Sequence, residues 1–191
     1  MTVSTNIYTA AYNHYRTLGL DPLPIPYHNG LPSKVPSFDN WQTKASNHDF
    51  TADECSSDCN IGILLGGDNN VTDIDCDSPE AVAVSGDIIA ELMKKTGKTM
   101  IFGHESKPRS HYIFFADRSL PSVKISDPTD NQCVIEYRCV TTDGSRGLQT
   151  VFPPSVWYEP KKRVAEEIRL ETDSGDRPVY VDASKLYSGF R

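Results

Sequence analysis

At 191 residues the chain has room for one domain with a buried core, and its 38% hydrophobic and 24% charged content is that of a globular protein without membrane spans. Its formal charge of −7, from 19 Lys+Arg against 26 Asp+Glu, argues against holding nucleic acid by bulk electrostatics, so any such contact must be local. Five cysteines, an odd number, do not make a disulfide framework, and the start MTVSTNIYTAAYNHY lacks a basic stretch followed by an apolar one, which predicts a cytoplasmic protein.

Ile7, Ala11, Tyr15 and Leu18 recur at helical spacing, with Ser4 or Thr5 as the expected cap and Gly19 as the stop. The proline-rich DPLPIP (21–26) must run extended, and GLPSKVP (30–36) reads as a loop that carries Lys34 ahead of Trp41. Residues 47–58 are polar, acidic and aperiodic, a surface loop. Cys55 and Cys59 with His48 are too sparse for a zinc site.

The stretch NIGILLGGDNNVTDIDCD (60–77) organises the rest of the chain. Two apolar runs flank Gly66-Gly67-Asp68-Asn69-Asn70, residues that favour turns, and predict a β-hairpin. In its second arm Asp73, Asp75 and Asp77 alternate with Ile74 and Cys76, so a strand puts three carboxylates on one face and the apolar residues on the other. Like charges at that spacing repel unless a cation or full solvation intervenes. Asp77 ends the run, where it either joins this face or caps the next helix.

Ser78-Pro79-Glu80 starts that helix, which is expected to run to Lys94 or Lys95, with a break near Gly86 and a stop at Gly97. A second hairpin is predicted over 99–102 and 111–115 around the basic turn HESKPRS. Then come a loop (120–131), strands at 132–140 and 148–152, and a tail (158–191) with a charged helical segment at 164–170, a linker TDSGDRP and a strand-like piece at 179–181 that leads toward a further domain. Strands, helices and hairpins in this order predict an α+β fold around antiparallel or mixed sheets.

The acidic strand, His111 after the basic turn Lys107 to Ser110, and Glu136 in VIEYR supply what phosphoryl transfer needs. Carboxylates hold Mg²⁺ or Mn²⁺ in a two-metal arrangement, and cationic donors hold a triphosphate. Each alone has a plainer reading: a solvated acidic edge, a histidine satisfied in a strand, and a Glu136–Arg138 pair.

The opening helix followed by LPIP and KVP before a tryptophan, then NIGILLG, VTDIDCD, SHYIFF, IEYR and LQTVFPPS, resemble the primase-polymerase (prim-pol) branch of the archaeo-eukaryotic primase superfamily found in plasmid and phage replication proteins. The resemblance covers about residues 7–157. It implies a two-lobed fold whose second lobe resembles an RNA-recognition module, within a single catalytic domain (1–191). It implies a DNA primase or polymerase that copies a single-stranded DNA template from dNTPs or NTPs in a bacterial or archaeal host of a virus or plasmid, alongside a helicase domain or partner. Asp73, Asp75 and Glu136 would be the metal ligands and catalytic acids. His111, with Lys107, Arg109, Ser110 and Arg138, would bind the nucleotide. Arginine at 109, where relatives carry a small residue, leaves open which side chain meets the triphosphate. The expected nucleic-acid rim is Lys34 with Lys161, Lys162 and Arg163, joined by Lys94, Lys95 and Lys98, with Trp41, Trp157 and Tyr158 for stacking. The alternative is a non-catalytic nucleic-acid-binding replication module on the same scaffold.

Overall fold

Prolines at 22, 24 and 26 cannot donate to a neighbouring strand, so LPIP can only be an edge. The computed structural model, which describes residues 6–55 and 58–188, bears this out. In chain order its elements are α1 (Ile7–Thr17), β1 (Pro22–Pro26), α2 (Trp41–Ser46), β2 (Cys59–Leu64), β3 (Val71–Cys76), α3 (Pro79–Thr96), β4 (Met100–His104), β5 (Lys107–Ala116), β6 (Val123–Ser126) and β7 (Cys133–Arg138). After these come β8 (Gln149–Phe152), β9 (Val156–Glu159), β10 (Val164–Glu167), β11 (Arg169–Leu170), β12 (Val179–Val181) and α4 (Ala183–Ser188). The fold is α+β, and the chain divides into two units: residues up to Leu64 with Gln149–Arg169, and Leu65–Leu148 with the chain from Leu170 onward.

In the first unit β1, β2 and β8 form an antiparallel sheet, and β9 pairs with β10. Its buried apolar residues include Tyr12, Tyr15, Leu23, Ile25, Ile61, Ile63 and Phe152. The phenol of Tyr15 donates to Pro153 O (2.7 Å), and that of Tyr12 to Phe50 O (2.7 Å). Asn60 is wholly buried yet fully engaged: its amide nitrogen donates to Ser33 O (2.9 Å) and Val156 O (2.8 Å), and its oxygen accepts from Val156 N (2.8 Å). A buried amide with three bonds locks the loop carrying Ser33 and the start of β9 to β2. The cap expected from Ser4 or Thr5 lies outside the described residues; Asn6 Oδ1 caps α1 by accepting from Tyr8 N (3.0 Å).

The second unit is built on a sheet in which β4, β5, β3, β7 and β6 are antiparallel neighbours in that order, with β12 added parallel to the end of β5. Ile74, Ile101, Tyr112, Phe114, Ile135 and Tyr137 form a core on one face with Ala81 and Ile89 of α3 and Leu186 of α4. Helix α3 starts and stops as its sequence predicts: Ser78 Oγ accepts from Ala81 N (3.1 Å), and Gly97, at φ 89°, ends it. It runs through Gly86 without a break.

The hairpin predicted over 60–77 does not form. β2 already has β1 and β8 on its two edges, and β3 has β5 and β7, so the two arms enter different sheets. The turn contributes only a single bridge, Gly66 with Val71, through Gly66 and Gly67 at φ 76° and 61°. The helix expected at 164–170 is strand instead, because Arg163 turns at φ 56° and lays Val164–Glu167 against Val156–Glu159. The loop at 120–131 contains β6, held against β7, and the tail ends in α4, whose Ala183 and Leu186 are buried. The predicted linker is tied down: Ser174 Oγ accepts from Ile101 N (2.9 Å), and Gly175 N donates to Thr99 O (2.7 Å).

Truncating Asn60 to alanine strands two partly buried carbonyls and a partly buried amide N–H. It should cost about 2–4 kcal/mol, read as a lower urea midpoint with an unchanged slope.

Candidate active site

Strand β3 is the axis of the site because it is an interior strand of the second unit's sheet, paired with β5 on one edge and β7 on the other. Its acids alternate with Ile74 and Cys76, both wholly buried, so the hydrophobic core fixes which face the carboxylates take. Residues directly opposed in a sheet share a face. Asp75 stands opposite His111 on β5 and Glu136 on β7, while Asp73 stands opposite Arg138. Four of the residues singled out in the sequence, from three separate motifs, thus meet with Arg138 on one face.

Asp73 is wholly buried, and it is paired on both sides. His111 Nδ1 lies 3.0 Å from its Oδ2, and Arg138 Nη1 lies 3.4 Å from the same oxygen. Arg138 also reaches Asp75 Oδ2 at 3.3 Å. Burial by itself would lower the His111 pKa, but the Asp73 and Asp75 carboxylates outweigh it and hold it above the ordinary imidazole value. The ring of Phe102, wholly buried, stacks on His111 with centroids 4.9 Å apart and fixes its plane.

Single ligand atoms of Asp73, Asp75 and His111 all lie within 4.8 Å of one another, a spacing that fits a metal ion. Two carboxylates and an imidazole suit a hard or borderline divalent ion. Glu136, expected as the third ligand, is beside Asp75 in the ladder, but its carboxylate faces Lys124 (3.7 Å) and Arg138 (3.9 Å) and does not complete that group. Burial raises the Glu136 pKa, partly offset by Arg138 and Lys124.

The basic turn is arranged differently from its prediction. Only Glu105 and Ser106 turn; Lys107 to Ser110 already belong to β5. Lys107 Nζ contacts Asp77 Oδ1 (2.5 Å) and Asp75 Oδ1 (3.5 Å), so Asp77 joins the acidic face and leaves the cap to Ser78. Desolvation draws the Lys107 pKa down, yet Asp75 and Asp77 keep it above the usual lysine value. Arg109 pairs with Asp173 and not with the acids of β3. Ser110, expected in the pocket, is wholly buried one residue before His111, on the opposite face of the strand; among the described residues its hydroxyl has no hydrogen-bond partner.

Residues 11–173 match the Prim-Pol family, described as bifunctional DNA primase/polymerase, N-terminal. The chain belongs to this family. Among curated proteins, none matches it. Prim-Pol membership makes the chain a nucleotidyltransferase-type enzyme of DNA replication, with nucleotides and a DNA template as substrates. Among the described residues no helix is long and apolar enough to cross a membrane.

Of the expected rim residues, Lys34, Lys161, Lys162 and Arg163 lie in the first unit, and Lys94, Lys95 and Lys98 lie in the second. Lys34 Nζ sits 5.3 Å from the Trp157 ring, a cation–π contact, and Lys161, Lys162 and Arg163 are exposed at the β9–β10 turn. Cys55 and Cys59 stay together, each buried, and their hydrogen bond and burial push the Cys55 thiol up; His48 instead pairs with Asp21 (3.1 Å). Sequence reasoning missed Lys124, Phe102, Glu171 and Asp173. Only the register of β4, β6 and the tail, which no local pattern encodes, brings them here.

Removing Arg138 leaves a buried carboxylate with one partner fewer. In chelator-treated buffer Arg138→Met should lose about 3 kcal/mol of stability, and adding Asp73→Asn should recover most of it. Urea denaturation of the single and double variants is the check.

Proposed function

We propose that the chain is a metal-dependent DNA primase/polymerase that adds dNTPs or NTPs to a strand copied from a single-stranded template, with Mg²⁺ or Mn²⁺ as the ion. The observation that carries this reading is the register of three adjacent strands, which sets Asp75 between His111 and Glu136 with Asp73 one step along the same face. A site for template binding alone has no use for clustered carboxylates that repel phosphate.

Asp73 and Asp75 would hold the ion, with Glu136 as a further carboxylate at the edge of the group. When bound, a pair of such ions would neutralise the attacking and leaving oxygens of an in-line displacement. The chain's own groups do the rest. Lys107 and His111 donate to the phosphates. Arg138, within 3.4 Å of Asp73 and 3.3 Å of Asp75, places positive charge between the two carboxylates and offsets their repulsion. Lys161, Lys162 and Arg163 meet the template backbone, and Trp157, under Lys34, offers a face for a base.

Asp73→Ala and Asp75→Ala should each abolish nucleotide incorporation while the melting transition stays cooperative. Both should also lose the rise in melting temperature that Mn²⁺ with nucleotide gives the unaltered protein. His111→Ala should weaken nucleotide binding about ten- to a hundredfold and keep single-stranded DNA binding. Replacing Lys161, Lys162 and Arg163 together should do the reverse and flatten the salt dependence of DNA binding. Full incorporation by Asp73→Ala or Asp75→Ala would overturn the assignment.

A further inference from the structure

The β4–β5 ladder decides which cation stands beside the carboxylates. Phe102 faces His111, and an uninterrupted antiparallel ladder would then set Arg109 opposite His104. Lys107 sits there instead, so β5 absorbs two extra residues as a bulge. The excess is taken up around Pro108 and Arg109, and Arg109 adopts φ 54°, a left-handed conformation unfavourable for a residue with a Cβ. Across from it, a Cβ on Gly103 would lie 2.4 Å from Lys107 O and 2.7 Å from Arg109 N. Those are backbone atoms and cannot swing aside, so this ladder closes only over glycine.

The tail holds the bulge from its outer side. Glu171 N donates to Ile101 O (2.9 Å), and Glu171 Oε1 accepts from the Arg109 backbone N–H (2.8 Å), which joins β4 to the bulged residue through one residue. Asp173 takes the Arg109 guanidinium. We propose that Gly103, Glu171 and Asp173 are positioning residues: they hold the bulge and thereby select Lys107, rather than Arg109, as the cation beside Asp75 and Asp77 that meets the nucleotide's phosphates. The inference rests on the nucleotide-binding reading of the site.

The choice has a chemical consequence. A guanidinium at that place would clamp a carboxylate with two parallel N–H donors, whereas an ammonium touches it as a point charge and can turn to a phosphate. Lysine there leaves carboxylate oxygens open to an incoming divalent ion.

Two readouts test this: titration with dATP and Mn²⁺, and hydrogen exchange at the Arg109 amide. Glu171→Ala should speed that exchange and weaken dATP binding by about fivefold, the effect of freeing one strained residue. Glu171→Gln, which keeps an accepting oxygen, should retain both. Adding Arg109→Gly to Glu171→Ala should restore affinity, because glycine holds the left-handed conformation unaided. Gly103→Ala should weaken dATP binding as much as Lys107→Met does. Normal dATP binding with unchanged exchange in Glu171→Ala overturns the positioning role. So does a loss beyond tenfold in Arg109→Gly alone, which would put the guanidinium on the phosphates. If the unaltered protein binds no dATP with Mn²⁺, the nucleotide reading itself falls and takes this role with it.

Discussion

A carboxylate with no solvent exposure, Asp73, sits in the middle strand of a five-strand antiparallel array, and the second unit brings a basic side chain to each side of it. An unpaired buried carboxylate would take up a proton or unfold its surroundings. His111 from one neighbouring strand and Arg138 from the other supply the pairing, each within 3.4 Å. Both partners must arrive by register, so the alignment of β3 with β5 and with β7 is fixed by charge as well as by the apolar face. A slip of β3 by one residue would turn its acids into the core and Ile74 out of it.

The sheet therefore has two faces with opposite tasks. On one, Ile74, Tyr112, Phe114 and Tyr137 pack with α3 and α4 and supply the stability. On the other, acids and cations alternate across strands: Lys107, His111 and Arg138 beside Asp73, Asp75, Asp77 and Glu136. Repulsion among the carboxylates is offset pair by pair, and the pairs made by Arg138 are loose. Arg138 reaches Asp73 and Asp75 at 3.4 and 3.3 Å, longer than tight charge-assisted hydrogen bonds. Such contacts offset the repulsion among the carboxylates without locking them in place. The proposed chemistry would draw on the same charges that make the strand expensive to bury.

The motifs themselves were legible in the chain. The period of two in VTDIDCD placed the acids on one face and Ile74 and Cys76 on the other, because a pleated strand allows nothing else. Ser78, Pro79 and Gly97 marked the ends of α3, and three prolines marked an edge strand, since these residues restrict the backbone whatever surrounds them. The family was legible for the same reason: its motifs are local. Polar stretches misled. Residues 164–170, with acids and bases but no firm apolar period, read as helix and are strand, because pairing with β9 outweighs a weak local preference.

What only the tertiary structure decided is which distant residues face one another. Local pattern put Asp73, His111 and Glu136 in three separate strands; the order β5-β3-β7 and its register brought them together. The turn after Leu65 looked like a hairpin, yet both edges of each arm were claimed by other strands. Alternation along KPRSH put Lys107 and Arg109 on one face, but a bulge over Gly103, held by Glu171 more than sixty residues later, keeps Lys107 and turns Arg109 to Asp173. Sequence determined the chemistry each strand can present, because side-chain direction follows backbone period. Structure chose the partners, because strand pairing is a contest among distant segments that no single segment contains.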